Sequence, residues 1–388
     1  MREEGAAKMT VRFLHTSDWQ LGVTRHFLAP GPQDRWAAAR NEAVTALCTL
    51  ATDEDCDFIV VAGDVFETNH VSRATVLTAI EALKNCRLPI FLLPGNHDCL
   101  EPTNVYESNV WRRHKPSNVH VLADPGKCVE VKPGVEVVGA PWLSKRPTVD
   151  LVAETAKVLS PLPHGFRVMV GHGAVSTLSP NPDNPAIINV EAARQAIREQ
   201  QFHFLALGDR HSTTNVTGET DGRIWYSGTP EAFDFVETKN GNVLLVEADD
   251  LGVRVTPKRV GTWKFVVHDE VLNSQQDLDA LASAIEAIPD KPKTMLKLGL
   301  TGTLGMTQKM ALDQLLDHWG DLFAAVVMST SRTELVVVPA EADFGELRLS
   351  GYGAKALEVL RGKLAVGADR EAAGDALALL FRLQGDAT

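Results

Sequence analysis

Phe58-Ile59-Val60-Val61-Ala62-Gly63-Asp64 and Ile90-Phe91-Leu92-Leu93-Pro94-Gly95-Asn96-His97-Asp98 are the most telling stretches of this chain. In each, an apolar run stops at a glycine and ligand-type side chains come directly after it. Short apolar runs bounded by turn residues are strands buried on both faces. Parallel strands deliver the residues at their carboxyl ends to one edge of a sheet, where α/β proteins build their sites. Phe13-Leu14-His15-Thr16-Ser17-Asp18-Trp19-Gln20 repeats the pattern upstream. Acids, an amide and a histidine brought to one edge read as a two-metal hydrolytic centre.

Around these stretches, Val11–Thr16, Phe58–Gly63 and Ile90–Pro94 are predicted strands, with helices over Asp34–Ala51 and Val71–Lys84 between them. That βαβα order predicts a buried sheet with helices outside it. Short strands come next at Val119–Leu122, Cys128–Val131 and Val135–Gly139. Arg167–Gly171 and Phe204–Gly208 then flank a helix near Val190–Glu199. Arg223–Tyr226, Val243–Ala248 and Val253–Pro257 read as a closing meander, assigned here to a second sheet facing the first. The expected fold class is α/β (α+β), a two-sheet αββα sandwich over residues 10–260. The proline-rich stretch 179–185 must be a loop.

The pattern restarts after Gly261. Strands at Trp263–His268, Met295–Leu300, Ala324–Met328 and Glu334–Val338, with helices Gln275–Ala287 and Gln308–His318, predict a small α+β domain over 261–345. Residues 346–388 form a tail with helical patterns at Ala354–Leu360 and Arg370–Leu383. In the second, Ala373, Leu377, Leu380 and Phe381 share one stripe, which packs on its own domain or docks a partner helix. Residues 1–9 are charged and small, an unstructured lead-in.

Composition narrows the classes. With 388 residues and 44% apolar content the chain has enough length for a large core and two domains. None of its apolar runs is long enough to span a bilayer, so no membrane role is expected. Five scattered cysteines form neither a zinc motif nor a disulfide framework, which fits a reducing cytoplasm. A net charge of −12 excludes a generally basic surface, so nucleic-acid binding needs a local rim. Arg25-His26, Arg112-Arg113-His114-Lys115, Lys145-Arg146 and Lys258-Arg259 are the candidates for it, or are solvated loop charges.

Six segments carry the chemistry: Asp18-Trp19-Gln20, Gly63-Asp64, Gly95-Asn96-His97-Asp98, Gly171-His172-Gly173, Gly208-Asp209-Arg210-His211 and Trp225 to Pro230. In their order and spacing the chain resembles the calcineurin-like metallophosphoesterases. Within them it is similar to the SbcD-type DNA exonuclease subunits, which work beside an SMC-like coiled-coil ATPase. His-Thr-Ser-Asp at 15–18, Gly-Asp-Val-Phe at 63–66 and Tyr-Ser-Gly-Thr-Pro-Glu at 226–231 favour that branch. The resemblance implies Asp18 and His211 on a first metal, Asp64 bridging, and Asn96 and His172 on a second. It puts His97 beside the scissile phosphate, with Asp98 orienting its ring through a hydrogen bond. An imidazole so placed can protonate the departing oxygen. A glycine before each ligand lets the backbone turn and substrate approach.

Two positions depart from the family pattern, which has Asp-x-His at the first motif and His-x-His at the later one. Here Gln20 and Asp209 stand in those places. Gln20 either ligates through its carbonyl oxygen or hydrogen-bonds a metal-held water, and Asp209 either ligates or lies just outside the ligands. Two divalent ions facing Asp18, Asp64, Asp209 and a hydroxide leave no net charge. Such a centre favours manganese, or magnesium, over zinc and iron. The expectation is a metal-dependent DNA phosphodiesterase, an exonuclease or endonuclease of repair or processing, with DNA and an SMC-like ATPase as partners. A homodimer is compatible with it. A small-molecule (cyclic nucleotide-like) phosphodiesterase or phosphatase, or a weakly catalytic scaffold for DNA or the ATPase, are the alternatives.

Overall fold

The computed structural model describes residues 10–179, 181, 184–218, 222–337, 351–365, 372–373 and 376–377. Contacts divide the chain into one unit of residues 1–26 and 33–263 and another of 27–32 and 264–388.

In the first unit β1 (Val11–Thr16), β2 (Phe58–Val61), β3 (Ile90–Leu92) and β4 (Val119–Val121) run parallel in that order. Helices α1 (Pro30–Asp53) and α2 (Arg73–Lys84) connect the first three, and the short α3 (Asn109–His114) leads into β4. A second six-stranded sheet holds β5 (Val129–Lys132), β6 (Val135–Gly139), β7 (Phe166–His172), β8 (Phe204–Gly208), β9 (Thr214–Asn215) and β10 (Ile224–Tyr226), in the order β5-β6-β7-β8-β10-β9.

Side-chain alternation explains why the strand sequences carry no polar face. Phe58 and Val60 point into a core between the sheets with Phe13, Phe91, Val168 and Phe204. Ile59 and Val61 point the other way, onto Val44, Leu47, Ile80 and Leu83 of α1 and α2. The second sheet is covered likewise, by Val152 and Ala156 of α4 (Leu151–Lys157) and Ala193 and Ile197 of α5 (Val190–Arg198). A strand buried on both faces must be apolar throughout. Phe13 stacks on Phe58 at 4.8 Å and meets Phe204 edge-on at 5.6 Å, locking sheet to sheet.

The meander expected in the second sheet is divided. Only β10 lies there, parallel to β8. β11 (Asn242–Asp249) and β12 (Gly252–Arg259) instead extend the first sheet, β11 running antiparallel to β1 with Val11 opposite Ala248. β1 needs a partner on its second side, and the apolar run Val243–Leu244–Leu245–Val246 supplies one that is buried on both faces. Glu231, fully buried, closes this unit: it accepts from the backbone N–H groups of Ala232, Thr262 and Trp263, each at 2.9 Å.

The second unit has β14 (Thr294–Leu304) at its centre, paired in parallel with β13 (Lys264–Leu272), β15 (Ala325–Met328) and β16 (Glu334–Val337). Helices α6 (Gln275–Glu286) and α7 (Met306–Leu322) bring Leu278, Leu281, Leu312 and Trp319 to its core. A further helix, α8, covers Tyr352–Ala365. Of the predicted tail stripe, Ala373 and Leu377 are buried, Leu377 against Met306. Leu380 and Phe381 lie outside the described residues, as do the lead-in 1–9 and the predicted domain boundary near 345.

His15 makes the inter-sheet core pH-sensitive. Fully buried, it bonds the Leu207 carbonyl through Nε2 (3.1 Å), and burial pulls its pKa down to about 3. An unfolded chain takes up that proton below about pH 6.5 while the folded one does not. Stability is therefore retained above pH 6.5 and lost as pH falls from there toward 3, by about 1.4 kcal/mol per pH unit. Urea melts of wild type and His15→Gln between pH 7 and 5.5 are expected to show the steeper loss in wild type. Parallel curves would refute it.

Candidate metal centre

The ends of β1, β2 and β3 in one sheet and β7 and β8 in the other meet at one place. Asp18, Asp64 and His172, all buried, each bring a ligand atom to within 4.8 Å of the others. His172 Nδ1 bonds the Ala62 carbonyl at 2.8 Å, which fixes the proton there and leaves the Nε2 lone pair for the site. That Nε2 lies 2.7 Å from Asn96 Oδ1, 3.4 Å from Asp64 Oδ2 and 3.9 Å from Asp209 Oδ1. His211 is held through Nδ1 by Asp234 at 3.4 Å, with its ring edge-on to Phe233 at 4.4 Å. The structure thus gathers Asp18, Asp64, Asn96, His172 and Asp209 around one point.

Local backbone geometry is unusual where ligands are delivered. Asp18 (φ 53°), Gln20 (φ 42°), Asp64 (φ 54°) and Asp209 (φ 101°) are all left-handed, a conformation that costs a non-glycine residue about 1–3 kcal/mol. Surrounding bonds enforce it. Asp18 N–H donates to the Gly63 carbonyl (3.0 Å) and Gln20 N–H to the Asp64 carbonyl (2.8 Å), so the first two ligand turns are tied together. The buried Arg40 guanidinium donates to the Trp19 carbonyl from Nε (3.0 Å) and Nη2 (2.6 Å). Asp209 N–H points at the Asp18 carboxylate, 3.1 and 3.2 Å from its oxygens.

Three glycines let the ligands pack this closely. A Cβ on Gly63 (φ +92°) would lie 2.1 Å from His172 Nδ1, and one on Gly95 would lie 2.2 Å from Asp64 Oδ1. On Gly208 it would lie 1.9 Å from the Ala62 carbonyl oxygen. The glycines were expected to admit substrate; the groups they make room for are the candidate ligands themselves and the backbone beneath them.

The donors suit cations. Gln20 is buried, and its Oε1 has no hydrogen-bond partner among the described residues. An orphaned carbonyl oxygen costs about 1–3 kcal/mol unless something binds it. Burial pushes the Asp18 carboxyl up to about 6, helped by the charge of Asp64 and opposed by His172 and His211. Burial would raise Asp64 too, but the attraction and hydrogen bond of His172 outweigh it and hold it low; His172 is held correspondingly high. Without cations the cluster balances its charge with protons.

His97 and Asp98 part company. The His97 side chain is 35% exposed, its Nδ1 bonds the Glu67 carbonyl at 2.8 Å, and its Nε2 lies 4.0 Å from Asp64 Oδ2. Contrary to the role that the family resemblance implies, Asp98 does not orient this ring. It is fully buried and accepts from the N–H of Gly95 (2.8 Å), Val65 (2.9 Å) and Phe66 (3.2 Å) and from the Tyr106 hydroxyl (2.6 Å). Its side chain turns inward to pin the β2 and β3 ligand loops to each other. Burial, then the Asp64 charge, raises its pKa to about 6.

Several residues at the site were not anticipated. Ser17 Oγ donates to Asp18 Oδ2 (2.5 Å) and meets Ser227 Oγ at 2.8 Å, which gives the 226–231 stretch a role beside the ligands. Trp142 Nε1 donates to the His172 carbonyl at 2.8 Å. Arg40 carried a legible signal: it sits between Trp36 and Val44 on the buried stripe of α1, where a charge needs a partner. Asp234 and Glu67 carried none.

Fold and site together define a four-layer α/β protein whose sheet ends converge on a nest of carboxylate, amide and imidazole donors, a phosphoester hydrolase built for divalent cations. Residues 11–246 match the family model for calcineurin-like phosphoesterase, and the chain belongs to that family. The DNA double-strand break repair protein Mre11 of Saccharolobus solfataricus is 23% identical over 235 residues, 57% of this chain and 55% of that one. The chain thus spans about half the length of that relative. Its counterpart from Sulfolobus acidocaldarius is 23% identical over 327 residues, 80% of this chain and 81% of that one. Among solved structures, a dimetal phosphatase from Danio rerio covers 63% of this chain and 98% of its own at 12% identity, with a TM-score of 0.40. Among the described residues no helix is long and apolar enough to cross a membrane.

Proposed function

We propose that this protein is a manganese-dependent DNA phosphodiesterase that works with an SMC-like coiled-coil ATPase. The observation that carries the reading is the extent of likeness to the Sulfolobus acidocaldarius repair protein: it covers 80% of the chain, reaching past residue 246 into the second unit.

Asp18, Gln20 and His211 would hold one cation, Asn96, His172 and Asp209 the other, and Asp64 both. Two cations held there supply an activated water and neutralise charge on the phosphate. The chain does the rest. Ser17 and the Asp209 N–H fix the Asp18 carboxylate. The Ala62 carbonyl fixes the His172 tautomer. His97, aimed by the Glu67 carbonyl and open to solvent, hands its Nε2 proton to the departing oxygen. Manganese is favoured because Gln20 and Asp209 replace imidazoles with oxygen donors.

Manganese-dependent digestion of end-labelled linear DNA and a closed circle tests this, with Asp64→Ala as control. Loss of label by wild type alone is the expected result. Hydrolysis of bis(p-nitrophenyl) phosphate with neither DNA touched would favour a small-substrate enzyme. Metal analysis after aerobic purification is expected to show manganese binding without tightly held zinc; stoichiometric zinc would overturn the metal assignment.

A further inference from the structure

Arg25 stands just beyond the Asp18–Gln20 turn. Its Nη2 donates to the Phe233 carbonyl at 3.0 Å, and its guanidinium lies over the Phe233 ring, 3.9 Å from the centroid, with the Trp36 ring at 5.7 Å. Its backbone N–H donates to Gln33 Oε1 at 2.8 Å, which holds the chain at that point. Phe233 in turn packs edge-on against His211, centroids 4.4 Å apart. One aromatic ring therefore separates this cation from a candidate metal ligand.

The neighbouring Arg40, set against the same two rings, donates from Nε and Nη2 to the Trp19 and Asp18 carbonyls. Its Nη1 has no partner among the described residues, but the side chain is buried and out of reach of a bound polynucleotide. Arg25 is half-buried, and its remaining N–H groups have no partner among the described residues. No carboxylate there lies within ion-pair distance of it. Burial presses on its charge, and Asp234 and Glu67 compensate only from farther away. An oriented, under-compensated guanidinium beside a phosphate-binding centre has the fork geometry that takes phosphate oxygens in pairs.

Resting on the nuclease reading, we propose that Arg25 binds the phosphate adjacent to the scissile one, so that the site selects polynucleotide diesters over small phosphate esters. A small ester has no second phosphate and gains nothing from Arg25. The contact is to backbone, so it carries no base preference.

The test compares wild type, Arg25→Gln and Arg25→Lys on a short oligonucleotide and on bis(p-nitrophenyl) phosphate, with manganese. Arg25→Gln is expected to raise the oligonucleotide KM by about tenfold and lower its salt dependence by about one charge. The loss on bis(p-nitrophenyl) phosphate should be several-fold smaller. Arg25→Lys should regain the salt dependence and only part of the KM, since ammonium lacks the fork. Equal losses on both substrates, or an unaltered oligonucleotide KM, would overturn the assignment and leave the nuclease reading standing. A wild type that cleaves only the small ester would overturn both. If the glutamine variant does not fold, the lysine variant decides by the same comparison.

Discussion

Gly208→Ala is expected to destabilise the protein by more than about 4 kcal/mol, or to prevent folding altogether, before any question of catalysis arises. The new Cβ would sit 1.9 Å from the Ala62 carbonyl oxygen, 2.8 Å from Ser17 Cβ and 2.9 Å from His172 Nδ1. Ordinary overpacking costs about 1–3 kcal/mol because side chains swing aside. Here the obstacle is the backbone at the end of one sheet pressed on the backbone of the other. Neither can yield without opening the sandwich, and the Ala62 carbonyl is also the acceptor that fixes His172. Urea denaturation of the metal-free protein measures the effect. A change below about 1 kcal/mol would show that the sheets part easily here, and the close packing would lose its significance.

His97→Ala is expected to lower kcat by about 10²–10⁴-fold, the usual worth of a positioned general acid. Metal stoichiometry should not change, because His97 Nε2 lies 4.0 Å from Asp64 and its ring is aimed by a backbone carbonyl, apart from the ligand cluster. Using a substrate with a nitrophenolate leaving group sharpens the test. That group departs without a proton, so the loss should shrink well below that on DNA. An equal loss on both would make His97 a phosphate-binding or metal-ordering residue. The contrast with Asp98 is direct: Asp98→Asn should reduce stability, since its carboxylate gathers three N–H groups and a hydroxyl.

The strand cores were legible because burial on both faces leaves an unmistakable apolar run. β1 and β6 fall where the sequence puts them, Val11–Thr16 and Val135–Gly139. Sheet membership was not legible. Val243–Val246 reads the same whether it pairs with β10 or β1, and only the second side of β1 decides. At the site, residue types directly after strands could be read from their neighbours in sequence. Anything that depends on a distant partner could not. Asp98 looks like a companion of His97 in sequence, yet its bonds go to Gly95, Val65, Phe66 and Tyr106. Arg40 reaches back to Trp19 across a helix, and Glu231 forward to Trp263.

The pairing of Val11 with Ala248 bears on how the protein is made. β1 is synthesised long before β11, from Thr16 to Asn242 along the chain, and its second edge finds no partner until β11 has been translated. Until then the growing chain carries an apolar strand with one row of open N–H and C=O groups, an invitation to wrong pairings. So large a separation also closes slowly, since the loop entropy is spent before the contact forms. Shielding of that nascent edge, by chaperone or by slow passage through the ribosome, is then as much a requirement of this fold as any residue in its centre.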